Sequence, residues 1–73
     1  MMRLVCDVIS EPVYSDSVCT FKVNVNDRTF TVVSQNRQAI KDNIFVTSRQ
    51  KIEIEGKIID DKIYTRYSRI KLK

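Results

Sequence analysis

With 73 residues, 42% of them apolar and 30% charged, the chain has room for one domain and one small core, and its even mixing of apolar and charged positions argues against a disordered class. No run approaches the ~20 apolar residues of a membrane span, and residues 1–9 are broken by Arg3 and Asp7 before a signal-peptide core could form, so a cytoplasmic protein with no membrane partner is expected. The net charge of +4 is unevenly placed: residues 1–48 carry five basic and five acidic groups, whereas residues 49–73 carry eight against four, which centres any polyanion-attracting surface on the end of the chain.

Alternation with a period of two dominates, the pattern of half-buried strands. A first strand is expected over residues 3–9, with Leu4, Cys6 and Val8 on one face and Val5 and Ile9 on the other. Residues 11–17 read as a loop, because Pro12 cannot donate to a ladder and the Ser/Asp cluster favours turns. In the second strand Cys19, Phe21, Val23 and Val25 point one way and Thr20, Lys22 and Asn24 the other. Asn26 and Asp27, which tolerate positive φ, make the turn of a hairpin into a third strand over residues 28–33, with Phe30 and Val32 inward and Thr29, Thr31 and Val33 outward.

Over residues 34–47 the period changes. Ala39, Ile40, Ile44 and Phe45 are spaced as one side of one or two helical turns, which Ser34 or Asn36 could cap. A fourth strand resumes at Gln50, with Ile52, Ile54 and Ile58 inward and Lys51, Glu53, Glu55 and Lys57 outward. Gly56, the only glycine, marks a bulge or a barrel corner. Asp60 and Asp61 turn the chain into a fifth strand over residues 62–72. There Ile63 is odd while Ile70 and Leu72 are even, so a bulge within residues 64–68 is required to keep one face inward. Five strands with a short helix between the third and fourth, in one domain spanning residues 1–73, predict an all-β, five-stranded OB-type Greek-key barrel; an SH3-like barrel is the competing architecture at this length.

Residues 43–58, and within them Ile52-x-Ile54-x-Gly56-x-Ile58, resemble the fourth-strand region of bacterial single-stranded DNA-binding proteins and the related primosomal replication protein N, where a helical segment leads into an alternating "V-x-V-x-G-x-L" strand. Thr20-Phe21-Lys22-Val23 with Phe30-Thr31-Val32 is similar to their second and third strands. The chain departs from the pattern in its length, in a loop between strands four and five reduced to Asp60-Asp61, and in having no tryptophan. The resemblance implies an OB barrel that binds single-stranded DNA in replication or repair.

Binding of single strands needs cations for phosphates and exposed rings on which bases stack. The residues that offer these are Lys22, Arg28, Lys62, Arg66 and Arg69 as phosphate contacts, and Tyr14 together with either Tyr64 or Tyr67 as stacking rings, the other of that pair filling the barrel mouth. Phe21, Phe30 and Phe45 share spacing with aliphatic residues and read as core. Catalysis lacks its usual parts: there is no histidine, no glycine-rich phosphate loop, and no Ser or Cys beside a recognisable base. No metal or other cofactor is expected, since Cys6 and Cys19 supply only half of a tetrahedral set and read as reduced, buried thiols. The expected function is non-catalytic binding of single-stranded nucleic acid, accessory to replication, repair or a mobile element. The alternative is an interaction or assembly module that keeps the barrel without the ligand. Apolar groups on both faces of the first strand predict a homodimer, or a higher even-numbered oligomer, with that strand at the interface.

Overall fold

The computed structural model describes residues 2–43, 46 and 48–70; the side chains of Met2, Gln38, Ala39, Asp42 and residues 67–70 lie outside that description, as do Met1, Ile44, Phe45, Thr47, Lys71, Leu72 and Lys73 altogether. The elements are β1 (Met2–Val8), β2 (Val13–Ser15), β3 (Val18–Val25), β4 (Arg28–Ser34), α1 (Arg37–Asn43), β5 (Lys51–Ile59) and β6 (Lys62–Ile70).

The alternation read from the sequence becomes a ring. Strand order β1-β5-β6-β4-β3 closes through a β1–β3 pairing into a five-stranded mixed barrel, consistent with an OB-like barrel, and β2 is added at the outer side of β3. All pairings are antiparallel except β4 with β6, where Thr31, Val32 and Val33 lie opposite Lys62, Ile63 and Tyr64. Inside the ring Cys6, Val8, Phe21, Val23, Phe30, Val32, Val46, Ile52, Ile54 and Ile63 form one buried cluster, with Leu4, Val25 and Ile58 packed against it. Each such aliphatic or phenyl side chain contributes about 1.5–3 kcal/mol by leaving water. Among the described residues no helix is long and apolar enough to cross a membrane.

Two tight turns follow directly from residue chemistry. Asn26 (φ 50°) and Asp27 (φ 65°) both adopt positive φ between β3 and β4, as a primed two-residue hairpin requires. Asp16 (φ 52°) and Ser17 (φ 64°) do the same between β2 and β3. That second hairpin corrects the expectation of a plain loop over residues 11–17. Val13, Tyr14 and Ser15 pair with Thr20, Cys19 and Val18, so they form a short strand although all three are exposed.

β1 and β2 run in the same direction along one edge of β3 and behave as a single broken strand. Val8 lies opposite Val23, and pairing resumes at Val13 opposite Thr20, so four residues on one side span two on the other. Pro12 falls in this kink, where its missing N–H removes no ladder bond. The Lys22 N–H that loses its partner there donates to Ser10 Oγ at 2.8 Å, while Ile9 N–H donates to the Lys22 carbonyl at 2.9 Å. The kink lets β1 serve both β5, through residues 2–7, and β3.

The parity slip in the last strand is resolved by a bulge. Glu55 pairs with Tyr67 but Gly56 pairs with Thr65, leaving Arg66 as the extra residue. Before the bulge Ile63 and Thr65, two residues apart, are both buried, and the Thr65 hydroxyl donates to the Glu55 carbonyl at 3.1 Å. Ser34 is not a helix cap: it ends β4, fully buried, and its Oγ accepts from Asn43 Nδ2 at 2.6 Å. Asn36 holds the cap position, its carbonyl accepting the Ile40 N–H at 3.0 Å. α1 packs mainly against β6, at the end of the barrel where β4 finishes.

Candidate nucleic-acid interface

Side chains of partner residues on neighbouring strands stand on the same side of a sheet, so the register fixes which candidates share a face. On the outer side of the barrel one row runs Lys22 (β3), Thr31 (β4), Lys62 (β6) and Ile59 (β5). The next row runs Val13 (β2), Thr20, Val33, Tyr64 and Lys57. With strands ~4.8 Å apart, Lys22 and Lys62 stand about 10 Å from one another across the small side chain of Thr31. Lys22, Lys57 and Lys62 are exposed and Tyr64 is half-buried.

The three lysines and the Tyr64 ring thus belong to one outward surface whose remaining residues on β3 and β4 are Thr20, Asn24, Thr29, Thr31 and Val33. Among the described residues, the two rows that the register sets side by side contain no acid. Asp60 and Asp61 stand at its rim, in the turn beside Lys62, where the Asp61 carbonyl takes the Thr31 N–H at 2.9 Å. Val33 carries outward parity yet is only 8% exposed, so this surface has an apolar floor between Thr20 and Tyr64. The neighbouring outer surface of β1 and β5 is different in kind. There Arg3 pairs with Glu55 at 3.5 Å and Lys51 with Asp7 at 3.8 Å, around half-exposed Val5.

Two candidates do not join the lysine face. Arg28 has the parity of Phe30, and its guanidinium lies over the Phe30 ring, 5.0 Å from the centroid, closing the end of the core instead of standing beside Lys22. Tyr14 pairs with buried Cys19, which in turn pairs with buried Ser34, so the Tyr14 ring lies at the opposite end of the barrel, in a groove against α1. Arg28 and Ser34 are six residues apart on β4, so Arg28 and Tyr14 are separated by about 20 Å of strand.

Arg66 is exposed at the bulge, where the extra residue re-aims a side chain relative to its neighbours. Tyr67 and Arg69 belong to β6 by backbone, opposite Glu55 and Glu53, but their side chains lie outside the described residues. Lys57 was not among the candidates, although outward parity on its strand and pairing with Tyr64 place it on the same surface.

The thiols are buried. Cys6 is pushed up to about 11 by loss of hydration and, secondarily, by the negative charge of Asp7; burial also raises Cys19. Neither forms a disulfide. Among the described residues no three His, Cys, Asp or Glu side chains gather as a metal site. Comparison of the chain with protein-family models, with curated proteins and with solved structures returns no match.

Proposed function

We propose that the protein is an OB-type barrel that binds single-stranded nucleic acid on the outer surface of β3, β4 and β6. Numbering the five ring strands along the chain, their order is 1-2-3-5-4-1, and a seven-residue helix follows the third strand; both features support the OB reading, a five-stranded Greek-key barrel whose second and third strands carry the ligand. The observation that carries the functional reading is the adjacency of Lys22, Lys62 and Lys57 with the Tyr64 ring on that face. Phosphates meet cations spaced across neighbouring strands, and a base meets a ring between them. Arg66 extends the cationic track along β6. The likeness of residues 43–58 to single-stranded DNA-binding proteins and primosomal replication protein N points the same way.

The test is a titration of labelled single-stranded and duplex oligonucleotides at two salt concentrations. The proposal expects tighter binding of the single strand and a steep loss as salt rises, because each phosphate contact releases counterions. Absence of binding at low salt overturns it.

A second reading, an assembly module, rests on Val5 (47% exposed) and Ile9 (49% exposed) on the outer side of β1. The backbone edges of β1 are taken up by β5 and β3, so a homodimer or higher even-numbered oligomer formed there would pack face to face through these side chains. Light scattering at tens of micromolar distinguishes it: a monomeric mass removes this reading and leaves the first intact.

A further inference from the structure

The groove that holds Tyr14 is separate from the lysine face and has its own chemistry. It occupies about 480 Å³ between the β2–β3 hairpin and α1, and is lined by Tyr14, Ser17, Gln35, Arg37, Ile40 and Lys41. That volume is in the range of small-molecule sites, ~300–1,000 Å³.

The lining is amphipathic in an ordered way. Arg37, Ile40 and Lys41 stand at positions i, i+3 and i+4 of α1, so all three share one side of the helix. The opposite wall carries the Tyr14 ring, 55% exposed. Among the described residues, two cations, one ring, one aliphatic side chain and two neutral polar groups line the space. Like charges four residues apart repel and mildly destabilise a helix, and an anion between them reverses the sign of that contribution. Inorganic phosphate would use the cations and leave Tyr14 and Ile40 unused. An uncharged aromatic compound would do the opposite. A ligand carrying both a flat ring and a phosphate uses every wall.

We propose that this groove binds a nucleoside 5′-phosphate, its base between Tyr14 and Ile40 and its phosphate between Arg37 and Lys41. The site is independent of strand binding on the lysine face, and neither requires the other. The same unit occurs as a free nucleotide and as the phosphorylated end of a strand, and both present the chemistry the groove reads.

The test follows backbone amide shifts during titration with AMP, adenosine, ribose 5-phosphate and inorganic phosphate. AMP is expected to move Ser17, Gln35 and Lys41, with adenosine and ribose 5-phosphate each about tenfold weaker because each lacks one half of the recognition. Tyr14→Ala and Lys41→Glu should each weaken AMP by about tenfold, while Tyr14→Phe, which keeps the ring, should not. The pair Lys22→Glu with Lys62→Glu, which disables the lysine face, should leave AMP binding unchanged. A 5′-phosphorylated oligonucleotide that moves the groove amides where its unphosphorylated counterpart does not assigns the site to strand ends, and movement with AMP alone assigns it to the free nucleotide. The proposal is overturned if AMP at millimolar concentration moves none of these amides, if adenosine or inorganic phosphate matches AMP, or if the shifts map to β3, β4 and β6 instead.

Discussion

Gly56 and Thr65 approach so closely at the β5–β6 bulge that a Cβ on Gly56 would stand 2.8 Å from the Thr65 Cα, and still nearer the Tyr64 carbonyl. The obstructing atoms are backbone, so no rotamer change relieves the clash. Gly56→Ala is therefore expected to lower stability by about 1–3 kcal/mol, read as a shift of the urea midpoint at constant slope. An unchanged midpoint would mean that β5 and β6 can part without loss.

The Cys6 thiol gives the fold an alkaline limit. Its ordinary value is near 9 and the folded value about 11, so the native state holds this proton more tightly than the unfolded chain. The stabilisation is complete below pH 9 and is lost as pH rises to 11, by an amount on the order of 3 kcal/mol. Urea midpoints of wild type and Cys6→Ala at pH 8 and pH 11 check this. The variant should start lower and lose less, whereas parallel losses would assign the alkaline effect to other groups.

Ser34 and Asn43 tie the end of β4 to the end of α1. The Asn43 amide nitrogen has Ser34 Oγ as its partner, while Asn43 Oδ1 is buried with none. Ser34→Ala leaves the whole buried amide unsatisfied and should destabilise by about 1–3 kcal/mol. Adding Asn43→Leu removes the amide, so the double variant should be less destabilised than the two single losses added together. Strict additivity would show that the two side chains are not energetically coupled.

The lysine face makes a separable prediction about binding. Lys22→Ala and Lys62→Ala should each flatten the salt slope by about one unit and weaken all sequences alike. Tyr64→Ala should cost about 1–3 kcal/mol of affinity with the slope nearly unchanged. Arg28→Ala, engaged with Phe30 away from that face, should alter neither. A dominant effect of Arg28 in these titrations would move the interface to the end of the barrel.

What could be read ahead of the fold was what depends on neighbouring residues. The inward parity of Phe21, Val23, Phe30, Val32, Ile52 and Ile54, the Asn26-Asp27 turn, and the slip between Ile63 and Ile70 are all local signals, and each has its counterpart in the barrel. β2 was not legible, because three exposed residues after a proline carry no alternation and gain strand character only from pairing with Val18, Cys19 and Thr20. The position of Tyr14 depends on that pairing. Arg28 was legible and misread: it shares parity with Phe30, so its stem follows the core face and its guanidinium closes the barrel end. Lys57 needed the register of β5 against β6 before it could be set beside Tyr64.

The ring joins β1 to residues 51–56, far along the chain, whereas β3 meets β4 across a turn of only two residues. On the ribosome these events are widely separated in time. The β3–β4 hairpin can form as soon as it is made and offers Val23 to Val8, but Leu4 and Cys6 meet their partners Ile54 and Ile52 only when these emerge, several seconds later at ~5–20 residues per second. Pairing over such a separation also slows closure through the entropy of the intervening loop. The nascent chain therefore passes through an interval in which the first strand has only its β3 neighbour and lacks its longer β5 partner.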